Sequence, residues 1–140
     1  MTPFRCSRRV DFCDTDMVGI VHFANYFRYM EFAEVEFLRS LGLSVKLLYQ
    51  DIPIGFPRVS VACDYVRPLR FDDVVDIDVS IERIGSKSIS YRFAFTLAGQ
   101  PIANGRSTAV CCRMAEEQKM ESIEIPEEIR KLLQSRVDGK

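Results

Sequence analysis

Apolar residues recur along the chain with two different periods, which divide it into a helical part and a strand part. Over residues 23–41 they return every three or four positions, which is typical of an amphipathic helix of about five turns that ends at Gly42. Beyond a loop that contains Pro53, Gly55 and Pro57, the period falls to two. The pattern predicts strands over residues 59–65, 75–81, 89–97 and 102–114.

Two shorter elements flank these segments. Residues 4–14 are predicted to form a first strand, with Cys6, Val10 and Phe12 on one face, and Pro126 opens a short helix that ends near Ser135. The connections between the alternating segments are too short for helical crossovers, which favours antiparallel pairing. One hydrophobic helix with an antiparallel sheet predicts an α+β fold in a single domain spanning residues 1–140.

Composition and charge exclude several classes of function. The net charge is −1 and no basic run occurs, so nucleic acid is not expected as a partner. No apolar run approaches the roughly 20 residues of a membrane span, and no signal segment is recognisable at the N-terminus. The five cysteines match no zinc spacing and His22 is the one histidine, so we expect no metal site, free thiols and a cytoplasmic location.

The segment between the first strand and the long helix holds the candidate chemistry. Asp14 and Asp16 precede Gly19, and the predicted helix begins a few residues later. Backbone N–H groups at a helix start are unpaired and carry partial positive charge, so they polarise a carbonyl oxygen placed there. A carboxylate beside that carbonyl can act on its carbon. Acyl-transfer chemistry is one hypothesis, and an ordinary capping loop is the other.

The extended motif resembles the 4-hydroxybenzoyl-CoA thioesterase family of hotdog-fold enzymes. The matching segments are residues 16–21, Asn25 with Tyr26, residues 28–31 and residues 64–73. The resemblance implies a hotdog fold, in which a curved antiparallel sheet wraps a long central helix. It also implies a homodimer with a continuous sheet, or a dimer-of-dimers tetramer, with active sites at the dimer interface.

The same resemblance assigns the catalytic positions. Asp16 matches the family's catalytic aspartate, which attacks the thioester carbon or activates water. Gly19 is expected either to let the thioester approach the backbone or simply to permit a turn. The backbone N–H of Phe23 is the candidate oxyanion donor, while its side chain is expected in the core.

Three neighbouring residues are secondary candidates. His22 is expected first as a pocket-wall or helix-entry residue and second as a catalytic base. Asn25 is expected to hold the loop against the helix start. Glu31 is expected to pair with an arginine or to accept a hydrogen bond from the loop.

A group of polar residues near Gly85 is the candidate site for coenzyme A. In the family, basic residues near this connection contact the nucleotide. By that resemblance Arg83, Lys87 and Ser88 are the candidate substrate-binding residues, because cationic groups at a pocket mouth bind phosphates.

These observations predict an acyl-CoA thioesterase that hydrolyses its substrate to a free acid and coenzyme A. Coenzyme A enters as part of the substrate and leaves as product, and no resident cofactor is expected. Two alternatives remain at this stage: a hotdog dehydratase or hydratase that uses His22, and a non-enzymatic acyl-CoA-binding module. The sequence leaves open whether Asp16 is nucleophile or general base, and whether coenzyme A or acyl carrier protein carries the acyl group.

Overall fold

A computed structural model describes residues 3–114 and 119–136, and its main elements follow the two periods of the sequence. The long helix, α1, covers Asn25–Ser40, and α2 covers Glu127–Gln134. A single 3-10 turn covers Phe12–Asp14. The strands are β1 Phe4–Arg9, β2 Lys46–Tyr49, β3 Ile52–Gly55, β4 Arg58–Tyr65, β5 Val74–Ile84, β6 Ser88–Leu97, β7 Gln100–Val110, β8 Cys112–Met114 and β9 Met120–Ser122.

The long strands form one antiparallel sheet in the order β1-β5-β6-β7-β4, and α1 packs across it. Tyr26 and Phe37 meet the sheet edge-on, with ring centroids 5.6 Å from Phe95 and 6.0 Å from Tyr91. At Gly105 an added Cβ would lie 2.6 Å from the sulfur of Met30, so a larger residue there would require the Met30 side chain to move. The predicted α+β class and central helix are confirmed. Neither α1 nor α2 is long and apolar enough to cross a membrane.

A second, smaller sheet corrects the prediction for the last strand. The continuous alternation over residues 102–114 predicts one strand, but β7 ends at Val110 and β8 begins at Cys112. Between them the Cys111 amide donates to the Lys87 carbonyl at 2.7 Å, and the chain passes into a sheet of order β2-β3-β8-β9. The first strand is also shorter than predicted, because β1 ends at Arg9 and the 3-10 turn follows.

Strand β4 is an edge strand whose apolar residues are uncovered. The exposed fractions of Val59, Val61 and Tyr65 are 64%, 47% and 45%, although their alternation predicts a buried face. Within the described chain β4 pairs only with β7, so its outer edge presents unpaired backbone groups. The alternation of apolar residues therefore predicted this strand correctly, but it did not predict that the apolar side chains would be exposed.

Glu34 is a buried carboxylate whose partner comes from the start of β4. It is 1% exposed on α1, and Arg58 donates through Nε to its Oε1 at 3.2 Å. Its Oε2 has no partner within the described residues. Burial raises the pKa of Glu34, while the Arg58 guanidinium opposes that rise. By its helical angle Glu34 lies on the apolar side of α1, and its partner is 24 residues further along the chain.

Glu34→Gln is expected to remove a pH-dependent part of the stability. The pKa of Glu34 is raised above 4.5 in the folded state. Between pH 4.5 and this folded pKa, Glu34 is therefore protonated in the folded chain but ionised in the unfolded chain. This contribution to the free energy of unfolding is therefore present below pH 4.5 and is lost as the pH rises through the folded pKa. Urea unfolding of both proteins from about pH 4.5 to about pH 8 should show the Glu34→Gln protein gaining on the wild type as pH rises.

Glu31→Gln is the matched control for this prediction. Glu31 faces the same guanidinium, with Oε2 3.7 Å from Nη1 of Arg58, but its side chain is 62% exposed. Because the Glu31 charge is the weakest of the influences on the pKa of Glu34, Glu31→Gln should show only a small part of the pH-dependent difference. A Glu34→Gln protein that instead loses stability relative to wild type as pH rises would mean that the attraction of Arg58 outweighs burial.

Candidate active site

The loop that carries Asp16 is a tight turn closed by its own backbone. The Asp16 amide donates to the Ile20 carbonyl at 2.8 Å, and the Gly19 amide donates to the Asp16 carbonyl at 3.0 Å. Gly19 has φ +90°, a conformation that side-chain-bearing residues rarely adopt, which explains the glycine here. Oδ1 of Asp16 accepts from the amides of Val18 (2.9 Å) and Ile20 (3.4 Å). Within the described chain Oδ2 has no such partner, so one oxygen is oriented and the other is available.

Asp14 ties this loop to the helix. Its Oδ2 accepts from the Tyr29 hydroxyl at 2.7 Å, and its carbonyl accepts from Nδ2 of Asn25 at 2.8 Å and from the His22 amide at 2.9 Å. Burial, followed by the bond to Asp14, raises the pKa of Tyr29, so its hydroxyl keeps its proton and remains a donor. The bond from Nδ2 of Asn25 to the Asp14 carbonyl holds the loop against the helix start.

Among the described residues, one amide at the start of α1 has no acceptor. The amides of Ala24, Asn25, Tyr26 and Phe27 donate to Nδ1 of His22 or to carbonyls one turn back. No acceptor for the Phe23 amide occurs in the described chain, so this N–H is free to bind a ligand oxygen. The Phe23 side chain is 63% exposed, and the expectation that it lies in the core is wrong. It stands at the rim of a cleft, stacked on His22 with ring centroids 4.7 Å apart.

A cleft of about 450 Å³ brings these groups together. It is lined by the carboxylate-bearing Asp16, by Phe23 and Arg67, and by walls from Ile20, Val21, Tyr26, Tyr65, Val66 and Pro68. A carboxylate and a free amide in one largely apolar cleft can act on the carbon and the oxygen of the same carbonyl group.

Two residues of this cleft were missed by the sequence reasoning. The Tyr65 hydroxyl donates to the Phe23 carbonyl at 2.9 Å, and its ring packs edge-on against Tyr26 at 4.9 Å. Nη1 of Arg67 donates to the Pro101 carbonyl at 3.1 Å. Both residues lie in the segment 64–73, which carries part of the family resemblance and was the one available signal. That segment did not indicate where either side chain points.

His22 and Glu31 lie elsewhere. His22 is exposed and does not line the cleft, and its Nδ1 accepts from the Ala24 amide at 3.2 Å. Glu31 faces Arg58 on the outer side of α1, which is the first of the two roles expected for it. The structure therefore brings Asp16 and Phe23 together at the cleft, places Gly19 in the turn beside it, and leaves His22 and Glu31 outside its lining.

The predicted phosphate-binding group is also distant from the cleft within one chain. The connection that carries Lys87 packs near α2, where Nη2 of Arg130 donates to the Ser86 carbonyl at 2.9 Å. Along the strand direction of the sheet, the Lys87 connection lies beside Arg58, the first residue of β4. The cleft lies beside Tyr65, the last residue of β4. Those ends are seven residues apart, or roughly 23 Å in an extended strand. One protomer does not bring Arg83, Lys87 and Ser88 to Asp16.

Comparisons with known proteins give this geometry a context. Residues 10–133 match the family model of the thioesterase-like superfamily. The structure of a gentisyl-coenzyme A thioesterase superimposes with a TM-score of 0.80 at 33% identity, covering 93% of this chain and 99% of that one. A 1,4-dihydroxy-2-naphthoyl-CoA hydrolase of Nostoc punctiforme is 28% identical over 94% of this chain and 87% of its own length. A structure from Aquifex aeolicus, of a hypothetical protein, aligns with a TM-score of 0.82 at 29% identity, over 94% and 99% of the two chains. These likenesses confirm the predicted hotdog fold.

Proposed function

The chain belongs to the thioesterase-like superfamily and is a thioester hydrolase, and we propose that it hydrolyses acyl-CoA with Asp16 as its catalytic carboxylate. One observation carries the proposal. Asp16, with an oxygen left free by its own loop, and the unpaired amide of Phe23 belong to the same apolar cleft.

The mechanism follows from these two groups. The thioester carbonyl oxygen accepts from the Phe23 N–H, which stabilises the negative charge that develops on it. As nucleophile, Oδ2 of Asp16 bonds to the carbonyl carbon, the C–S bond breaks, and water then hydrolyses the mixed anhydride. As general base, Asp16 takes a proton from the attacking water and returns it to the departing sulfur. Both routes yield a free acid and coenzyme A, and in both the amides of Val18 and Ile20 hold the carboxylate in place.

The proposed active unit is a dimer that pairs β4 with β4 of a second copy. The uncovered apolar edge of β4 supports this pairing. In a two-fold antiparallel pair, the Tyr65 end of one strand meets the Arg58 end of the other. The second copy's Lys87 connection then lies beside the first copy's cleft, which reconciles the distant position of Arg83, Lys87 and Ser88 with a role in binding coenzyme A. A tetramer built from two such dimers is compatible with the same edge pairing.

An aromatic acyl group is the proposed substrate class. The cleft is walled by Phe23, Tyr26 and Tyr65, and aromatic rings pack favourably edge-on or offset against such side chains. Burial raises the pKa of Tyr26 to about 12, so this wall stays uncharged even in alkaline solution near pH 10. The names of the two relatives with stated substrates, a gentisyl and a dihydroxynaphthoyl thioesterase, support a hydroxylated aryl group.

A panel of thioesters monitored by thiol release tests this function. Hydroxybenzoyl- and hydroxynaphthoyl-CoA should turn over faster than straight-chain acyl-CoA, and the same acyl group on acyl carrier protein should react more slowly than on coenzyme A. Thiol release from straight-chain substrates alone would refute the aromatic class. Binding without any thiol release would favour the acyl-CoA-binding alternative, and enoyl-CoA hydration would favour the dehydratase.

Lys87→Ala should raise KM for acyl-CoA about fivefold and leave kcat nearly unchanged. A phosphate contact remote from the reacting atoms contributes similarly to the ground and transition states, and an exposed ion pair is worth on the order of 1 kcal/mol. Steady-state kinetics at low and high salt would measure the effect, which should shrink with salt. Lys46→Ala, another exposed lysine, is the control. An unchanged KM would place the nucleotide elsewhere, and an effect in Arg83→Ala alone would change the residue but not the site.

A further inference from the structure

Among the described residues, the Phe23 carbonyl accepts one short hydrogen bond, and its donor lies on the edge strand β4. The Tyr65 hydroxyl donates to it at 2.9 Å, across 42 residues of sequence. Its other donor, the Tyr26 amide, lies at 3.4 Å, which is long for an N–H···O bond. The Phe23 side chain is largely exposed, so core packing does not hold the residue in place.

We propose that Tyr65 is a positioning residue: its hydroxyl fixes the Phe23–Ala24 peptide group, which is joined through the Phe23 Cα to the peptide group that carries the Phe23 N–H. The Asn25 amide holds that second group through the His22 carbonyl at 2.9 Å, so the two bonds together limit rotation about Phe23 and keep its N–H aimed at the substrate oxygen. This rests on the proposed function, in which that N–H is the oxyanion donor. Oxyanion donors act through preorganisation, because a donor that must reorient during the reaction loses much of its effect.

The ring of Tyr65 is itself anchored. It packs edge-on against Tyr26 with centroids 4.9 Å apart, and Tyr26 packs against Phe95 in the sheet at 5.6 Å. The hydroxyl therefore reaches the loop from a ring held by the core. Since Tyr65 is the last residue of β4, the position of the edge strand is transmitted to the oxyanion donor.

Tyr65→Phe is the direct test, because it keeps the ring and removes the hydrogen bond. We expect kcat to fall about tenfold while KM changes less than about twofold, since the donor's orientation matters most in the transition state. Tyr49→Phe removes a hydroxyl from the β2–β3 hairpin and is the matched control, with unchanged kinetics expected. An unchanged kcat in Tyr65→Phe, or a rise in KM alone, would overturn the proposal.

Hydrogen exchange gives a second readout that does not depend on activity. In Tyr65→Phe, peptides covering residues 20–26 should exchange faster, while peptides from β6 should not change. Equal exchange in both proteins would show that the hydroxyl does not hold the loop. If the wild type releases no thiol from any thioester, the proposed function fails, but this measurement still decides whether Tyr65 positions Phe23.

Site-specific fluorination of Tyr65 covers the case in which the Phe variant does not fold. A fluorinated tyrosine keeps the ring and hydroxyl but has a lower phenol pKa. Once ionised, it cannot donate to the Phe23 carbonyl, so kcat should fall across that lowered pKa with no fall in the unmodified enzyme. A pH profile identical to wild type would overturn the proposal.

Discussion

Asp16→Asn is expected to lower kcat at least about a hundredfold, or roughly 2.7 kcal/mol of barrier, without loss of the fold. The amide oxygen of asparagine can still accept from the amides of Val18 and Ile20, so the turn should keep its shape. The amide can neither attack the thioester carbon nor take a proton from water. Thiol-release kinetics of the two proteins would measure the fall in kcat, and thermal melts would show whether the variant keeps its fold.

His22→Asn is the matched control, because it places the same amide a short way along the chain and outside the cleft. His22 is exposed, and its Nδ1 accepts from a backbone amide, so most thioesterase activity should remain. If His22→Asn is as inactive as Asp16→Asn, a histidine-based reaction gains support. Wild-type turnover by Asp16→Asn, with deamidation excluded by mass spectrometry, would remove the proposed mechanism.

The elements that the sequence predicted well are those whose burial is decided within the element. Residues 75–81 alternate because Val75, Ile77, Val79 and Ile81 face the core of a central strand, and all four are almost fully buried. The helix was located to within two residues for the same reason, since one face of α1 must meet the sheet.

The elements that it missed depend on contacts far along the chain. The β2–β3 hairpin is short and interrupted by Pro53, and β3 is secured by β8 much later in the sequence, where Gly55 pairs with Cys112. Cys111 ends β7 because its amide donates to Lys87, which no local pattern reveals. The partner of Glu34 lies 24 residues away on β4.

The same limit applies to the candidate site. Asp16, Gly19 and Phe23 could be predicted as candidates because they are close in sequence and belong to one motif. Tyr65 could not be recognised, since the role proposed for it depends on a single hydrogen bond across 42 residues. The cationic group at Lys87 could be proposed by resemblance, but its distance from the cleft is defined only when the sheet is assembled.

Val61→Lys should convert the protein to a monomer and lower kcat/KM roughly a hundredfold. Val61 is 47% exposed in a single chain, so the folded protomer can accept a lysine, whereas a pairing edge would have to desolvate its ammonium group. A monomer loses three proposed substrate contacts from the second copy, at Arg83, Lys87 and Ser88. Each contact is worth on the order of 1 kcal/mol, or about fivefold, so their joint loss is roughly a hundredfold.

Light scattering at micromolar concentration, together with kcat/KM measured over a range of protein concentrations, would test both parts. Activity of the variant should recover at high concentration, where mass action restores the pair.

Val74→Lys makes the same change at a valine that is 41% exposed at the start of β5, away from the proposed edge, and should remain a fully active dimer. A Val61→Lys protein that stays dimeric would move the interface off β4. A monomer with wild-type kcat/KM would mean that one protomer holds the complete site, and the exposed valines of β4 would then need another explanation.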